Sequence, residues 1–220
     1  YTGNSSSGNG GVVTLTGAQM NVSGDTLFKE NTAVGHAGAI YVSYYTNSTT
    51  GTTTGGKLTV TGGIFEKNSA MGGGAISIRS NCSAELNGTH LTGNFVSGYE
   101  EKNNGKNDGD GEGGGAIYVG YGSLKLTDVI ATGNTAEYFG GVVESVASDV
   151  TVENGTFQGN SALYSGAFHI QKGSEVTTTG TKLAGNSATD PNTANDGAIG
   201  GGAVNIVDST ITMTGVTLEN

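Results

Sequence analysis

The stretch Gly114-Gly115-Ala116-Ile117-Tyr118-Val119-Gly120-Tyr121-Gly122-Ser123-Leu124-Lys125-Leu126-Thr127-Asp128-Val129-Ile130-Ala131-Thr132-Gly133-Asn134 decides the fold, because its parts recur along the chain. It opens on a glycine pair, passes through alternating apolar and polar residues, and closes on an asparagine. The closing tetrad has an apolar or aromatic residue first and Asn last. It starts also at Tyr1, Phe28, Phe65, Leu91, Phe157 and Leu183, with a shortened copy at Leu218. Successive starts lie 27, 37, 26, 40, 26, 26 and 35 residues apart, which is a unit of about 26 with three longer gaps. The opening tetrad recurs once per unit, as Gly10-Gly11-Val12-Val13, Ala37-Gly38-Ala39-Ile40, Gly73-Gly74-Ala75-Ile76, Gly140-Gly141-Val142-Val143, Ser165-Gly166-Ala167-Phe168 and Gly201-Gly202-Ala203-Val204. The additional length falls in the polar stretches 43–56, 97–113 and 188–199. A repeat array tolerates such insertions, since closing a longer loop costs little more than closing a short one.

Within each unit the apolar residues alternate with period two, the signature of a half-buried strand. Ile40/Val42, Ile76/Ile78, Ile117/Val119, Phe168/Ile170 and Val204/Ile206 form one inward set, and Leu58/Val60, Leu124/Leu126, Val150/Val152 and Ile211/Met213 a second. Tyr41, Ser77, Tyr118, His169 and Asn205 then point outward. The Phe-x-x-Asn position is expected to be a third, short strand. Three short strands bury nothing alone but enclose a narrow core when coil stacks on coil. Parallel crossovers are overwhelmingly right-handed. The expectation is therefore an all-β, right-handed parallel β-helix of about seven coils, a rod of roughly 35 Å at ~4.8 Å per coil. Glycine pairs suit a corner that needs positive φ or close approach of successive coils. Asn4, Asn31, Asn68, Asn94, Asn134, Asn160 and Asn186 are expected to turn inward at another corner, their amides bonding backbone of their own and the adjacent coil. Residues 1–220 read as one such domain.

Composition removes several alternatives. Glycine is 41 of 220 residues, but proline is 1 and no Gly-X-Y period runs through the chain, so it is not collagen-like. Nine Lys and Arg face 19 Asp and Glu, a net charge of -10, and Arg79 is the sole arginine. Nucleic-acid binding requires a basic stripe, which is absent. No apolar run approaches the ~18 residues of a membrane-spanning helix. The single cysteine, Cys82, rules out an internal disulfide framework and a multi-cysteine zinc site.

Seven alternating copies of Gly-Gly-Ala-Ile and Phe-x-x-Asn over the whole chain resemble the polymorphic outer membrane protein repeat of microbial surface adhesins. The resemblance implies an extracellular, cell-surface stalk or scaffold presenting binding surfaces to a host or neighbouring-cell protein or glycan. Two departures, Ala131 at the aromatic position and Ser165 at a glycine position, leave the fold intact. The chain opens in one copy of the asparagine motif and stops in another. A piece of a longer protein is therefore expected, with a subunit capped by its neighbours as the alternative. The second functional reading is a structural subunit of an extracellular filament that self-associates end to end. A β-helical polysaccharide-active enzyme is the third.

Several side chains are candidates for chemistry. An enzyme would need clustered carboxylates, whereas Glu85, Asp128, Glu144, Glu153 and Glu175 read as scattered, so no catalytic residue and no cofactor is expected. Asp108, Asp110 and Glu112 alternate with glycine like the start of a calcium loop, but the closing glutamate would fall at Val119, a core position. A solvated acidic insertion is the simpler reading. His36, His90 and His169 read as non-equivalent, against a shared metal. Cys82 lacks a histidine at catalytic spacing. Thr59/Thr61, Thr177/Thr179 and Thr212/Thr214 suggest an ice-binding array, but charges interrupt the equivalent face in other coils. The aromatics are the better binding signal: Tyr41 and Tyr118 at equivalent outward positions, and Tyr121, Tyr44, Tyr45 and Tyr99 in or beside loops. Such rings stack on sugars or anchor protein contacts.

Overall fold

The computed structural model describes residues 1–96, 113–189 and 200–219. All strands that stack from coil to coil are parallel, and they form three sheets running along a β-helix. The first sheet carries the strands that follow the glycine pairs: Val13–Thr16, Ile40–Ser43, Ile76–Ile78, Ile117–Gly120, Val143–Val146, Phe168–Gln171 and Val204–Val207. The second, of 12 strands, carries the next alternating segment and the Phe-x-x-Asn segment together. In two coils these merge into single strands, Gln19–Lys29 and Lys57–Glu66. Register is one-to-one from coil to coil apart from a shift between Gly24 and Leu27: Ile76 pairs with Ile40 and Ile117, and Leu124 with Ala84 and Val150. No helix among the described residues is long and apolar enough to cross a membrane.

The third strand is not where the sequence places it. The Phe-x-x-Asn segment belongs to the second sheet, and the third sheet consists of residue pairs just after each asparagine, such as Ser5–Ser6, Thr32–Ala33, Ser69–Ala70, Thr135–Ala136 and Ser161–Ala162. The bend lies one residue earlier. Gly3, Glu30, Lys67, Gly93, Gly133, Gly159 and Gly185, each preceding a motif asparagine, all have positive φ. That reversal turns the asparagine side chain inward.

Asn31, Asn68, Asn94, Asn134 and Asn160 are fully buried and form a continuous ladder. Asn68 Nδ2 donates to Asn94 Oδ1 at 3.0 Å and to the Phe28 carbonyl at 2.9 Å, while Asn68 N–H donates to Asn94 Oδ1 at 3.0 Å. Asn94 repeats the pattern with Asn134 and Phe65, and Asn134 with Asn160 and Leu91. Each interior amide thus accepts twice and donates twice, its full capacity. Asn4 and Asn186 end the ladder as donor to Asn31 and acceptor from Asn160. Beside it runs an apolar column in which Tyr1 stacks on Phe28 at 5.1 Å and Phe28 on Phe65 at 4.7 Å. Ala131 continues that column between Leu91 and Phe157.

The glycine pairs work chiefly through close approach. A Cβ added to Gly38, Gly74, Gly115, Gly141 or Gly166 would lie well under 3.0 Å from the carbonyl oxygen of the corresponding glycine in the next coil. Any side chain there would push two coils apart along a whole edge. The insertion at 43–56 leaves the winding as a small antiparallel hairpin, Tyr45–Thr46 with Thr53–Thr54. Most of the insertion at 97–113 and the greater part of that at 188–199 lie outside the described residues.

Two substitutions test this geometry by urea denaturation. Gly141→Ala should lose about 3 kcal/mol, the upper end of overpacking costs. Ala147→Gly should gain about 1 kcal/mol, because Ala147 sits at φ 46 where an L side chain is strained.

Candidate functional site

At the corner between the first and second sheets, four coils line a polar groove of about 500 Å³ that is open to solvent. Asn81, Ser83, Tyr121, Ser123, Asp149 and Glu175, with the buried Ser148, supply its polar and aromatic side chains. The chain turns there through residues of positive φ in successive coils: Asn81, Tyr121, Ala147, Lys172 and Gly173, and Asp208. This conformation tilts the Tyr121 ring away from the core, and Tyr121 is 59% exposed. Just past the turn, Ser83, Ser123, Asp149 and Glu175 occupy one row across neighbouring strands of the second sheet. Asp149 and Glu175 are therefore direct cross-strand neighbours, an unfavourable pairing of like charges. The five acids read as scattered are not cross-strand partners of one another; the adjacency comes from Asp149, which begins its strand and which a period-two reading of strand interiors did not include.

Four other acids of the second sheet are paired with lysines. Glu66 pairs with Lys29 at 3.0 Å, Glu85 with Lys57 at 2.9 Å, Glu153 with Lys125 at 3.0 Å and Glu219 with Lys182 at 2.7 Å, each joining adjacent coils. Asp149 and Glu175 have no ion pair or side-chain hydrogen bond among the described residues, nor do Asn81, Ser83, Ser123 and Tyr121.

A second polar assembly lies on the outer face of the first sheet. Tyr41, Ser77, Tyr118, Glu144, His169 and Asn205 form one cross-strand row. Outward does not mean exposed here: Ser77 and Glu144 are wholly buried, Tyr118 is 3% exposed and His169 5%. Neighbouring turns cover the face: the Phe139 and Tyr164 rings lie 5.2 and 6.2 Å from the His169 ring. Val96, Phe139 and Glu144 all lie within 4 Å of a Cβ position built on Gly113, and Val96 belongs to a satellite apolar cluster with Ala136 and Ala162. Glu144 accepts from Gln171 Nε2 at 2.7 Å and from the Gly113 N–H. Tyr118 folds back across Gly120, where any Cβ would meet its ring, and the Arg79 guanidinium lies 5.4 Å from that ring centroid.

The three tyrosines singled out by sequence thus part company. Tyr121 is open in the groove, Tyr118 is buried, and Tyr41 is half-buried with the His36 ring stacked 6.0 Å away. The row also brings together Glu144 and His169, each the residue that follows its coil's opening tetrad. His90 lies elsewhere, on the second sheet beside Ile64 and Ile130. Tyr44 and Tyr45 are exposed on and beside the projecting hairpin. Asp108, Asp110, Glu112 and Tyr99 lie outside the described residues. Among the described residues no group of three or more metal-ligating side chains converges. Burial pushes the Cys82 thiol up, which keeps it protonated and a poor nucleophile.

No family model, characterised protein or solved structure matches the chain.

Burial pushes His169 down from 6.5 to about 4. The unfolded chain therefore binds the proton first on acidification. The contribution of His169 is complete above the unfolded pKa and is lost as pH falls towards 4. Replacing His169 by Gln should shrink the stability difference between about pH 7 and about pH 4.5 by about 2 kcal/mol, read from denaturation midpoints at both values. An identical difference in both proteins would refute this reading of the buried ring.

Proposed function

We propose that the chain is an extracellular, adhesin-like repeat module of a cell-surface protein. In this reading it is a rigid scaffold that presents binding surfaces to a protein or glycan on a host or neighbouring cell. One observation carries the reading. The exposed aromatics Tyr44, Tyr45 and Tyr121 stand on a projecting hairpin and at a coil corner, where they add nothing to the core. Aromatic side chains left in solvent on a rigid support are a recurrent basis of recognition. The repeat supplies the rigidity. Each coil is held by its two neighbours through register, asparagines and glycines, so loops can vary without disturbing the rod.

Beads coated with the chain test this directly against a panel of bacterial and animal cells. Adhesion is expected to at least one cell type and to fall about tenfold when Tyr44, Tyr45 and Tyr121 are replaced together by Ser. Absence of adhesion to every cell type, or adhesion indifferent to the triple substitution, would overturn it.

A further inference from the structure

We infer that the corner groove is a binding site for a short neutral oligosaccharide, with Tyr121 as the stacking platform and Asp149 and Glu175 as hydroxyl acceptors. The inference rests on the reading of the chain as a surface-binding module and names a ligand class for one of its surfaces.

The groove has dimensions suited to such a ligand. About 500 Å³ lies within the range of small-molecule sites and far exceeds the space one ion requires. It crosses four coils, roughly 14 Å at the spacing of adjacent strands. Its functional groups are of three kinds that together suit a sugar. Tyr121 offers a flat apolar face for the C–H side of a pyranose ring. Ser83, Ser123 and Asn81 offer hydroxyl and amide groups that can donate or accept. The two carboxylates offer charged acceptors, which form the stronger hydrogen bonds to hydroxyl donors.

Three features argue that the arrangement serves a ligand. The winding imposes positive φ at this corner in successive coils but does not call for a tyrosine there, and 59% of Tyr121 faces solvent, so core packing does not account for the ring. Asp149 and Glu175 stand directly opposite each other without a lysine, although four other acids of the same sheet have one within 3.0 Å. Six polar or aromatic side chains with no side-chain partner among the described residues meet at one place.

Charge selects the class. No Lys or Arg lines the groove, and the chain carries a net charge of -10. Uronate- or sialate-bearing chains would meet repulsion on approach and an unpaired carboxylate on arrival. A lysine-rich peptide is the competing occupant, since an aromatic ring beside two carboxylates also attracts cations. The hydroxyl and amide groups along the floor favour the polyol.

The test uses immobilised neutral oligosaccharides (hexose and N-acetylhexosamine), uronate- and sialate-bearing ones, and an oligolysine peptide. The intact chain should be retained by neutral members and not by acidic ones. Tyr121→Gly removes the ring while relieving its backbone, so this variant should fold at least as stably and bind about tenfold more weakly. Asp149→Asn with Glu175→Gln keeps acceptors but removes charge, and should admit acidic sugars that the wild type rejects. Retention by no neutral sugar, full binding in a stably folded Tyr121→Gly, or preference for oligolysine would each overturn the inference. Cell adhesion that survives Tyr121→Gly, with no sugar bound, sinks the groove and leaves the module reading standing. Sugar binding without adhesion to any cell does the reverse.

Discussion

The structure depends on fixed register between one coil and the next, and the buried asparagine ladder is the interaction that enforces it. A backbone ladder alone allows a strand to slip by two residues without exchanging its faces. A ladder of side-chain amides does not. Each interior asparagine bonds the asparagine on either side, together with a backbone carbonyl of the preceding coil. A slip anywhere leaves several buried polar groups without partners, each costing about 1–3 kcal/mol. The glycine column imposes the matching steric condition close beside the ladder, since carbonyl oxygens of one coil occupy the space a Cβ would need in the last.

With register settled inside, the outer surface is free to diversify. The second sheet uses this freedom for lysine–glutamate pairs between coils, exposed contacts that contribute little individually. The first sheet uses it differently. Its outer face is covered by side chains such as Phe139 and Tyr164, and it buries Tyr118, Glu144 and His169 in a polar layer that sequence alternation alone would leave in water. The groove at the corner between these sheets is the place where neither covering nor charge pairing occurs, and it is there that unpartnered polar side chains collect.

Much of the winding was legible because its constraints repeat. The period, the inward pairs such as Ile76/Ile78 and Leu124/Leu126, the inward asparagines and the close-packed glycines all recur at fixed places in the unit. Features without a period were hidden. A two-residue strand such as Ser69–Ala70 has no alternation to read, so the third sheet went to the wrong segment. Burial of an outward residue depends on which side chains of neighbouring turns fold over it, which no linear pattern carries. Tyr118 therefore looked accessible and is not. Asp149 and Glu175 are 26 residues apart, one unit, and their adjacency was available to an alignment extended to the first residue of each strand.

The most direct test of the central claim is the unfolding free energy of Asn134→Asp at neutral pH. The substitution preserves shape but replaces the Nδ2 donor with an acceptor facing the Leu91 carbonyl and Asn160 Oδ1. If register is enforced by this ladder, urea denaturation should show a loss of about 3 kcal/mol or more. Stability equal to the wild type would mean that the amides are bystanders and that something else holds the coils in step.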